Sequence, residues 1–441
     1  MEIYTVGGYS EVGKNMTIVK ANNEAIILDM GLLVQKLVDF EEEGGDRKNL
    51  TTQGLIKLGA IPNDNIINFK DKVKAIVLGH GHLDHLGATQ YLAPKYNAPI
   101  IGTPYTCEVL KTMLRDDKTT IKNEIKTVNP NSKIKIGNIE IELINMTHST
   151  LQTSLVALHT KEGTILYAND FKFDNHPVLG KKPNYKRLRE LGKEGIKLLI
   201  VESLYAHLDR KTPSEKVARE MLKDVLLGTE NNDNAILATT FASHIARLKS
   251  IYDFGNELNR KVVFLGRSMA KYIGAAERLN LVNFSKKAEV IAYGNEIRKK
   301  LKQIEKQGRD RYLIVCTGGQ GEPSSVLNKI ATDQFHFEFL PEDHVIFSNQ
   351  VIPVDVNREN RRKLEERLKK KRARIFTDIH QSGHASKEDL RDLIKMVNPE
   401  NIIPAHAGKE KQDFLIDLAS EIGYKRGKNI FNTNDGNKIV I

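Results

Sequence analysis

Cysteine is nearly absent from this chain: of 441 residues, only Cys107 and Cys316 carry a thiol. Two cysteines build no disulfide framework, which excludes a small cross-linked secreted scaffold and makes a reducing cytoplasm the expected location. Long apolar runs are missing too. No segment approaches the roughly eighteen uninterrupted apolar residues of a membrane span, so no membrane partner is expected. The opening Met1-Glu2-Ile3-Tyr4-Thr5-Val6 has neither a basic start nor an apolar stretch, which predicts no secretory leader. Low-complexity tracts and internal repeats are also lacking. What is left is an ordinary globular composition, 40% hydrophobic and 28% charged, in a chain long enough for two or three domains.

The charge is not ordinary. A formal net charge of +11 favours a polyanionic partner, because positive surface raises both encounter rate and non-specific affinity for nucleic acid. A generally basic proteome would give the same figure, so charge alone decides nothing.

The first 180 residues read as short strands that end in polar loops. Apolar or alternating runs at 25–28, 73–78, 139–144 and 164–168 stop at Asp29, at Gly79-His80, just before His148 and just before Asp170. The run at 154–158 pairs with 164–168 as a hairpin. Strands that end beside His or Asp are how a sheet presents a site from loops at one edge. From about Leu198 the rhythm becomes strand and helix in alternation. Strands are expected at 196–201, 235–239, 261–265, 312–316 and 345–347, with helices at 213–227, opened by Thr212, and from 243 to about 258. That alternation predicts a parallel α/β layer. The basic stretch 358–374 predicts a charged helical linker, either a solvated face or a nucleic-acid contact. After Arg374 come strands at 375–377 and 402–403, each ending near a His.

The densest signal is His80-Gly81-His82-Leu83-Asp84-His85, four metal-capable side chains within six residues after an apolar strand. A helix would scatter these positions around its circumference, whereas a loop can turn them towards one point. Imidazole and carboxylate suit Zn²⁺ or Mn²⁺. Chance clustering on a surface is the bland alternative, and four in six residues argues against it.

This stretch resembles the HxHxDH signature of the metallo-β-lactamase superfamily, and the rest of that pattern follows in order as Asp29, His148, Asp170 and His406. The resemblance implies that His80, His82 and His148 hold one metal, that Asp84, His85 and His406 hold a second, and that Asp170 bridges them. Asp29 would orient a ligand rather than bind metal. Taken singly, a histidine such as His148 is more often a loop or core residue; in this order the set is specific. Gly79 departs from the pattern, where Thr or Ser is frequent, and this touches packing rather than ligation. The implied cofactor is two Zn²⁺ per subunit, with Mn²⁺ as an alternative. Such a pair clamps the attacking and leaving oxygens of a displacement and supplies a nucleophile at neutral pH. Asp84 would also steer that nucleophile.

Asp170 and His406 lie more than two hundred residues apart, room for an inserted domain. An insertion here resembles the β-CASP group of the superfamily. Val201-Glu202-Ser203, Ser382-Gly383-His384-Ala385-Ser386 and Pro404-Ala405-His406-Ala407-Gly408 resemble its motifs A, B and C. By that resemblance His384, with Ser382 and Gly383, contacts the scissile phosphate. Glu202 either orients His384 or simply ends a strand.

Within the group, Gly7-Gly8-Tyr9-Ser10-Glu11-Val12-Gly13-Lys14-Asn15 and three further segments resemble the ribonuclease J family in its short archaeal form. Those segments hold Ser243 and His244, Arg267 and Ser268, and Gly319 and Gln320, in loops before helices where free N–H groups suit phosphates. Each is equally readable as an ordinary βα turn. The fold implied is an αββα sandwich formed by 1–205 and 357–441, with an α/β insertion at 206–356. The activity implied is a 5′→3′ exoribonuclease on single-stranded RNA. It would prefer 5′-monophosphate ends, release nucleoside 5′-monophosphates in RNA decay and maturation, and work as a dimer or tetramer. An endoribonuclease of the 3′-end-processing kind shares every motif, and a DNA-repair nuclease shares most. Intact ligand positions disfavour a metal-free RNA-binding scaffold.

Overall fold

The computed structural model describes every residue except Glu43. The chain forms two compact units. One comprises Met1–Asn175, Gly180–Thr212 and Gly383–Ile441; the other comprises His176–Leu179 and Pro213–Ser382.

The first unit stacks two sheets. One has seven strands, in the order Asn437–Val440, Glu2–Gly7, Met16–Ala21, Glu24–Leu28, Val73–Leu78, Ile100–Gly102 and Ile125–Thr127. The other has six, in the order Asn401–Ala405, Leu198–Glu202, Gly163–Ala168, Ser154–Thr160, Ile139–Asn145 and Ser132–Ile136. Strand side chains alternate between faces. Val19, Ile26, Leu28 and Val77 of the first sheet therefore meet Ile141, Val156, Tyr167, Ile200 and Ile403 of the second in one core. The intervening Leu155, Leu166, Leu199 and Val201 face the other way, onto the helices Tyr185–Glu194, Lys387–Val397 and Lys409–Ile422. Helix Pro104–Asp116 lies on the first sheet. The result is the αββα sandwich.

Register decides where the loops emerge. Leu198–Glu202 runs parallel to both neighbours, with Val201 opposite Ala168 and Glu202 opposite Ala405. Asp170, Glu202 and His406 consequently leave the sheet at one edge.

The second unit is the α/β layer: six strands, all parallel, ordered Glu289–Ile291, Lys261–Leu265, Tyr312–Cys316, Ile236–Thr239, His344–Phe347 and Arg374–Phe376. Its boundary departs from expectation. The charged segment forms the helix Asp355–Lys370, and that helix is no linker. Leu364 and Leu368, one turn apart, are fully buried in this unit's core, and Arg361 donates to the Gly319 carbonyl at 2.8 Å. The following strand, Arg374–Phe376, extends the parallel sheet, so the chain returns to the first unit at Gly383 rather than at 357. Eleven positions of basic and acidic side chains concealed a two-leucine stripe that suffices to seat the helix. A second departure concerns the helix Glu215–Leu227, which is capped by Ser214 and not by Thr212. The Thr212 hydroxyl donates instead to the His384 carbonyl at 2.7 Å.

A charge cluster lies inside the second unit. Arg247 is fully buried, and its guanidinium grips Glu215 with two bonds of 2.5 and 2.8 Å. It also donates to the Ser348 carbonyl and hydroxyl, both at 2.9 Å. Burial works against the Glu215 charge, yet Arg247 and His244 hold its carboxyl well below the usual carboxylate range. Among the described residues, no helix is long and apolar enough to cross a membrane.

Candidate metal centre

Strand Val73–Leu78 ends two residues before His80, and His82 stands at the N-terminus of a single helical turn, Leu83–Leu86. Asp84 and His85 are thus presented by a turn of helix rather than by the open loop expected. His148 follows Ile139–Asn145, Asp170 follows Gly163–Ala168, and His406 follows Asn401–Ala405. Asp29, Asp170 and His406 all adopt left-handed backbone, at φ 62°, 56° and 55°. A chain leaving a strand in that conformation turns sharply, at a cost of about 1–3 kcal/mol that surrounding structure must offset.

The structure brings these side chains into two groups that share one carboxylate. His80, His82, His148 and Asp170 form the first; Asp84, His85, His406 and Asp170 form the second, with the donor atoms of each group within 4.8 Å of one another. In the first, His82 Nδ1 lies 3.2 Å from His80 Nε2 and 3.1 Å from His148 Nε2. Asp170 Oδ2 is 3.4 Å from His80 Nε2 and 3.5 Å from His148 Nε2. In the second, Asp84 Oδ2 is 3.6 Å from His85 Nε2 and 3.8 Å from His406 Nε2, while Asp170 Oδ1 is 3.5 Å from His406 Nε2. Ligands at about 2.0–2.1 Å from a tetrahedral ion stand about 3.3–3.4 Å apart. The observed separations are of that size.

Proton placement gives a second test of fit. His85 Nδ1 donates to Asp29 Oδ2 at 2.7 Å and His148 Nδ1 to the Gly383 carbonyl at 2.6 Å, while His406 Nδ1 meets the Asn15 side-chain amide, 2.8 Å from its nitrogen and 3.0 Å from its oxygen. With the proton on the outward nitrogen, the inward nitrogen presents a lone pair, which is what a metal requires. Burial keeps His80, His82 and His148 below the ordinary histidine range, and it takes His406 down to about 4. His85 moves the other way: against its burial, the carboxylates of Asp170, Asp84 and Asp29 push it well up. Asp170 Oδ1 is buried with no hydrogen-bond partner. The imidazoles of His80, His82, His148 and His406, held towards their neutral form, face a buried carboxylate oxygen, and together they make a cradle for a cation.

Asp170, Glu202 and His384 form a third group. His384 Nδ1 is 2.7 Å from Glu202 Oε2 and 4.0 Å from Asp170 Oδ1. Burial disfavours the His384 charge, but Glu202 and Asp170 outweigh it and raise the imidazole to about 9. Glu202 is fully buried and its other oxygen accepts from the Phe171 backbone N–H at 2.8 Å. Its carboxylate is thus committed to the His384 ring and to the backbone beside Asp170.

Three supporting residues escaped the sequence reading. Asn15 donates from its backbone N–H to the Asp84 carbonyl at 2.9 Å while its side-chain amide bonds the His406 ring, tying both ends of the site together. Tyr167 donates its hydroxyl to Asp29 Oδ2 at 2.9 Å. Gly79, the departure from pattern, gives its N–H to Asp29 Oδ1 at 2.8 Å, a bond any residue there could make. The only sequence hint of these roles was Asn15's place in a glycine-rich turn.

Gly383 acts through its backbone. A Cβ there would meet the Ser149 amide nitrogen at 2.7 Å, beside the His148 ring that its carbonyl holds. Gly383→Ala is therefore expected to displace His148 and weaken metal binding about 10–100-fold, as loss of a ligand's supporting bond does. Metal titration monitored by competition with a chromogenic chelator checks this; unchanged affinity would refute the assignment.

The second unit's expected phosphate contacts divide. His244 is buried, accepts from the Arg247 backbone N–H at 3.4 Å as a helix cap, and lies 3.3 Å from Glu215. Gln320 is buried and spends both ends of its amide on the Gln350 carbonyl and the Ile352 N–H, at 2.9 and 2.8 Å. The Gly319 carbonyl receives Arg361. The side chains of His244 and Gln320 thus serve internal packing and not a phosphate. Arg267 and Ser268 are exposed at the first turn of Arg267–Arg278, whose cap residue Gly266 supplies no side-chain bond. Ser243 and Ser382 are half-buried.

Comparison with known proteins agrees in plan. Residues 62–220 match the beta-lactamase superfamily domain, 233–363 the beta-CASP domain of ribonuclease J, and 369–431 the Zn-dependent metallo-hydrolase RNA specificity domain. The chain is 43% identical to ribonuclease J of Pyrococcus abyssi, covering 100% of this chain and 97% of that protein. It is also 43% identical to ribonuclease J of Methanocaldococcus jannaschii, covering 99% and 98%. Ribonuclease J of a Helicobacter pylori strain is 29% identical over all of this chain and 60% of its own length. Among solved structures, a protein of unknown function from Enterococcus faecalis shares the fold, with a TM-score of 0.66 at 19% identity over 100% of this chain and 99% of that one.

Proposed function

The chain belongs to the ribonuclease J family, and from that premise we propose that it degrades single-stranded RNA from the 5′ end. It is a metal-binding hydrolase of a zinc-dependent family whose substrate is RNA. The finer reading is a 5′→3′ exonuclease that prefers a 5′-monophosphate and releases nucleoside 5′-monophosphates. It uses two Zn²⁺ per subunit, or Mn²⁺, in a dimer or tetramer.

The observation that carries the reading is the sharing of Asp170 between two donor groups, with His384 beside it. Two groups around one carboxylate support two ions. When bound, such ions neutralise phosphate charge and furnish a nucleophile at neutral pH. The chain's own residues do the rest. His80, His82 and His148 hold one position, and Asp84, His85 and His406 hold the other. Asp29, Asn15 and the Gly383 carbonyl fix the rings. Glu202 occupies His384 Nδ1, so His384 meets the scissile phosphate through Nε2 and stabilises the charge that develops there. Ser243, Arg267, Ser268, Ser382 and the Gly319 backbone N–H are assigned to phosphates along the strand. Direction and end preference rest on the family resemblance.

Products from 5′- and 3′-labelled RNA test the reading. The expected result is early release of 5′-labelled mononucleotide and a shrinking 3′-labelled ladder, faster on monophosphorylated than on triphosphorylated ends. Internal fragments at early times would establish an endonuclease instead.

A further inference from the structure

Glu202 and His406 each lie shortly before an aromatic side chain, and the fold brings those aromatics together. The segment after strand Leu198–Glu202 carries Tyr205 and His207, and Tyr205 bridges to Ser386 of the His384 segment. Helix Lys409–Ile422, which follows His406, carries Lys411 and Phe414 one turn apart. Their rings form a continuous series. The His384 ring is 5.9 Å from Tyr205, Tyr205 is 6.0 Å from His207, and His207 is 5.9 Å from Phe414. At the inner end, His384 stands 4.8 Å from the His148 ring and 5.6 Å from the His406 ring. At the outer end, Phe414 is 43% exposed. The Lys411 ammonium lies 5.6 Å from the Tyr205 ring centre.

Core packing does not account for this arrangement. The helix buries Leu415, Ile416, Leu418 and Ala419 on its other side, and nothing in that stripe calls for a phenyl ring facing water at 414. Rings that lead outward from a phosphodiester site, with a cation alongside, match what a single strand presents: π-faces on its bases and charge on its backbone. Successive rings are 5.9–6.0 Å apart and tilted by 71°, 47° and 49°, so none stacks face to face on the next and a base would take the face of one ring rather than a slot between two. His207 is suited to stacking, because burial and the neighbouring Lys411 charge both lower its affinity for a proton and leave the ring neutral.

We propose that Tyr205, His207 and Phe414, with Lys411 beside them, form a stacking track for the RNA bases next to the scissile phosphate. This holds the strand by its bases without selecting among them, since every base has a π-face. The proposal rests on the reading of the adjoining site as a ribonuclease centre. It adds residues that bind substrate and take no part in bond breaking.

The experiment is a binding titration of the full-length, metal-loaded protein with a hydrolysis-resistant single-stranded RNA carrying 2-aminopurine. A second set of RNAs has an abasic ribose at successive positions. Phe414→Ala and His207→Ala are each expected to weaken binding about tenfold. One abasic position should weaken wild-type binding by a similar factor and bring no further loss in the variant that lacks the matching ring. Equal affinity of Phe414→Ala, His207→Ala and wild type for the base-containing RNA would overturn the track. So would abasic losses that persist undiminished in both variants. Turnover is read separately on cleavable RNA, so a protein that binds through the track but makes no RNA products would sink the ribonuclease reading alone.

Discussion

An Asp170→Asn variant is expected to lose at least about a thousandfold in RNA turnover and to retain fewer than two ions per chain. The cause is geometric before it is electrostatic. Asp170 Oδ2 lies 3.4, 3.2 and 3.5 Å from the ring nitrogens of His80, His85 and His148, and Oδ1 lies 3.5 Å from His406. An amide keeps one acceptor and turns its NH₂ towards lone pairs that should face a cation. Against burial, the surrounding imidazoles hold the Asp170 carboxyl well below the usual range, so it is the standing negative charge of the site. Ions contribute several kcal/mol of transition-state stabilisation, and each 1.4 kcal/mol or so is tenfold in rate, hence a loss of about 10³ or more. Asp84 approaches His85 and His406 and is 29% exposed, and Asp84→Ala should cost metal occupancy in the second group and spare the first. Metal content by mass spectrometry after dialysis, beside kcat on RNA, separates the two variants. An Asp170→Asn protein with two ions and full turnover would dismiss the shared-carboxylate arrangement.

Arg247→Met is expected to destabilise the second unit by about 3–5 kcal/mol, the usual consequence of stranding one partner of a buried ion pair. Glu215 would lose both guanidinium bonds and keep its contact with His244, at 3.3 Å. The Ser348 carbonyl and hydroxyl would lose their donor as well. Pairing the change with Glu215→Leu should restore most of the stability, because an apolar pair of similar volume often replaces a buried ion pair at little net cost. Urea unfolding of the wild type, the single variants and the double variant gives the coupling directly. If the double variant is less stable by the sum of its parts, the cluster owes its stability to the Ser348 bonds and not to the Arg247–Glu215 charge pair.

The sandwich and the candidate ligands were legible in the sequence because both have local signatures. Each His or Asp of the set sits immediately after an apolar run, and strand alternation is written in adjacent residues. The supporting bonds were not legible. Asn15 reaches His406 and Tyr167 reaches Asp29 only through the register of the two sheets, and nothing near either residue in sequence announces its partner. The helix Asp355–Lys370 misled for a different reason: the heads of its long side chains dominate the composition, while Leu364 and Leu368 decide its place. His244 and Gln320 sat in loops that resemble phosphate loops, and only burial revealed that their side chains are committed inward. Loop chemistry is shared by βα turns that bind and those that merely turn.

The order of the ligands along the chain has a consequence for biosynthesis. His80, His82, Asp84, His85, His148 and Asp170 all precede the second unit, whereas His406 arrives only after it, just past a strand that pairs with Leu198–Glu202. A polypeptide still emerging from a ribosome therefore carries most of a metal-binding set but not its last imidazole, nor His384. The proposed centre is therefore complete only once translation has passed the whole α/β layer.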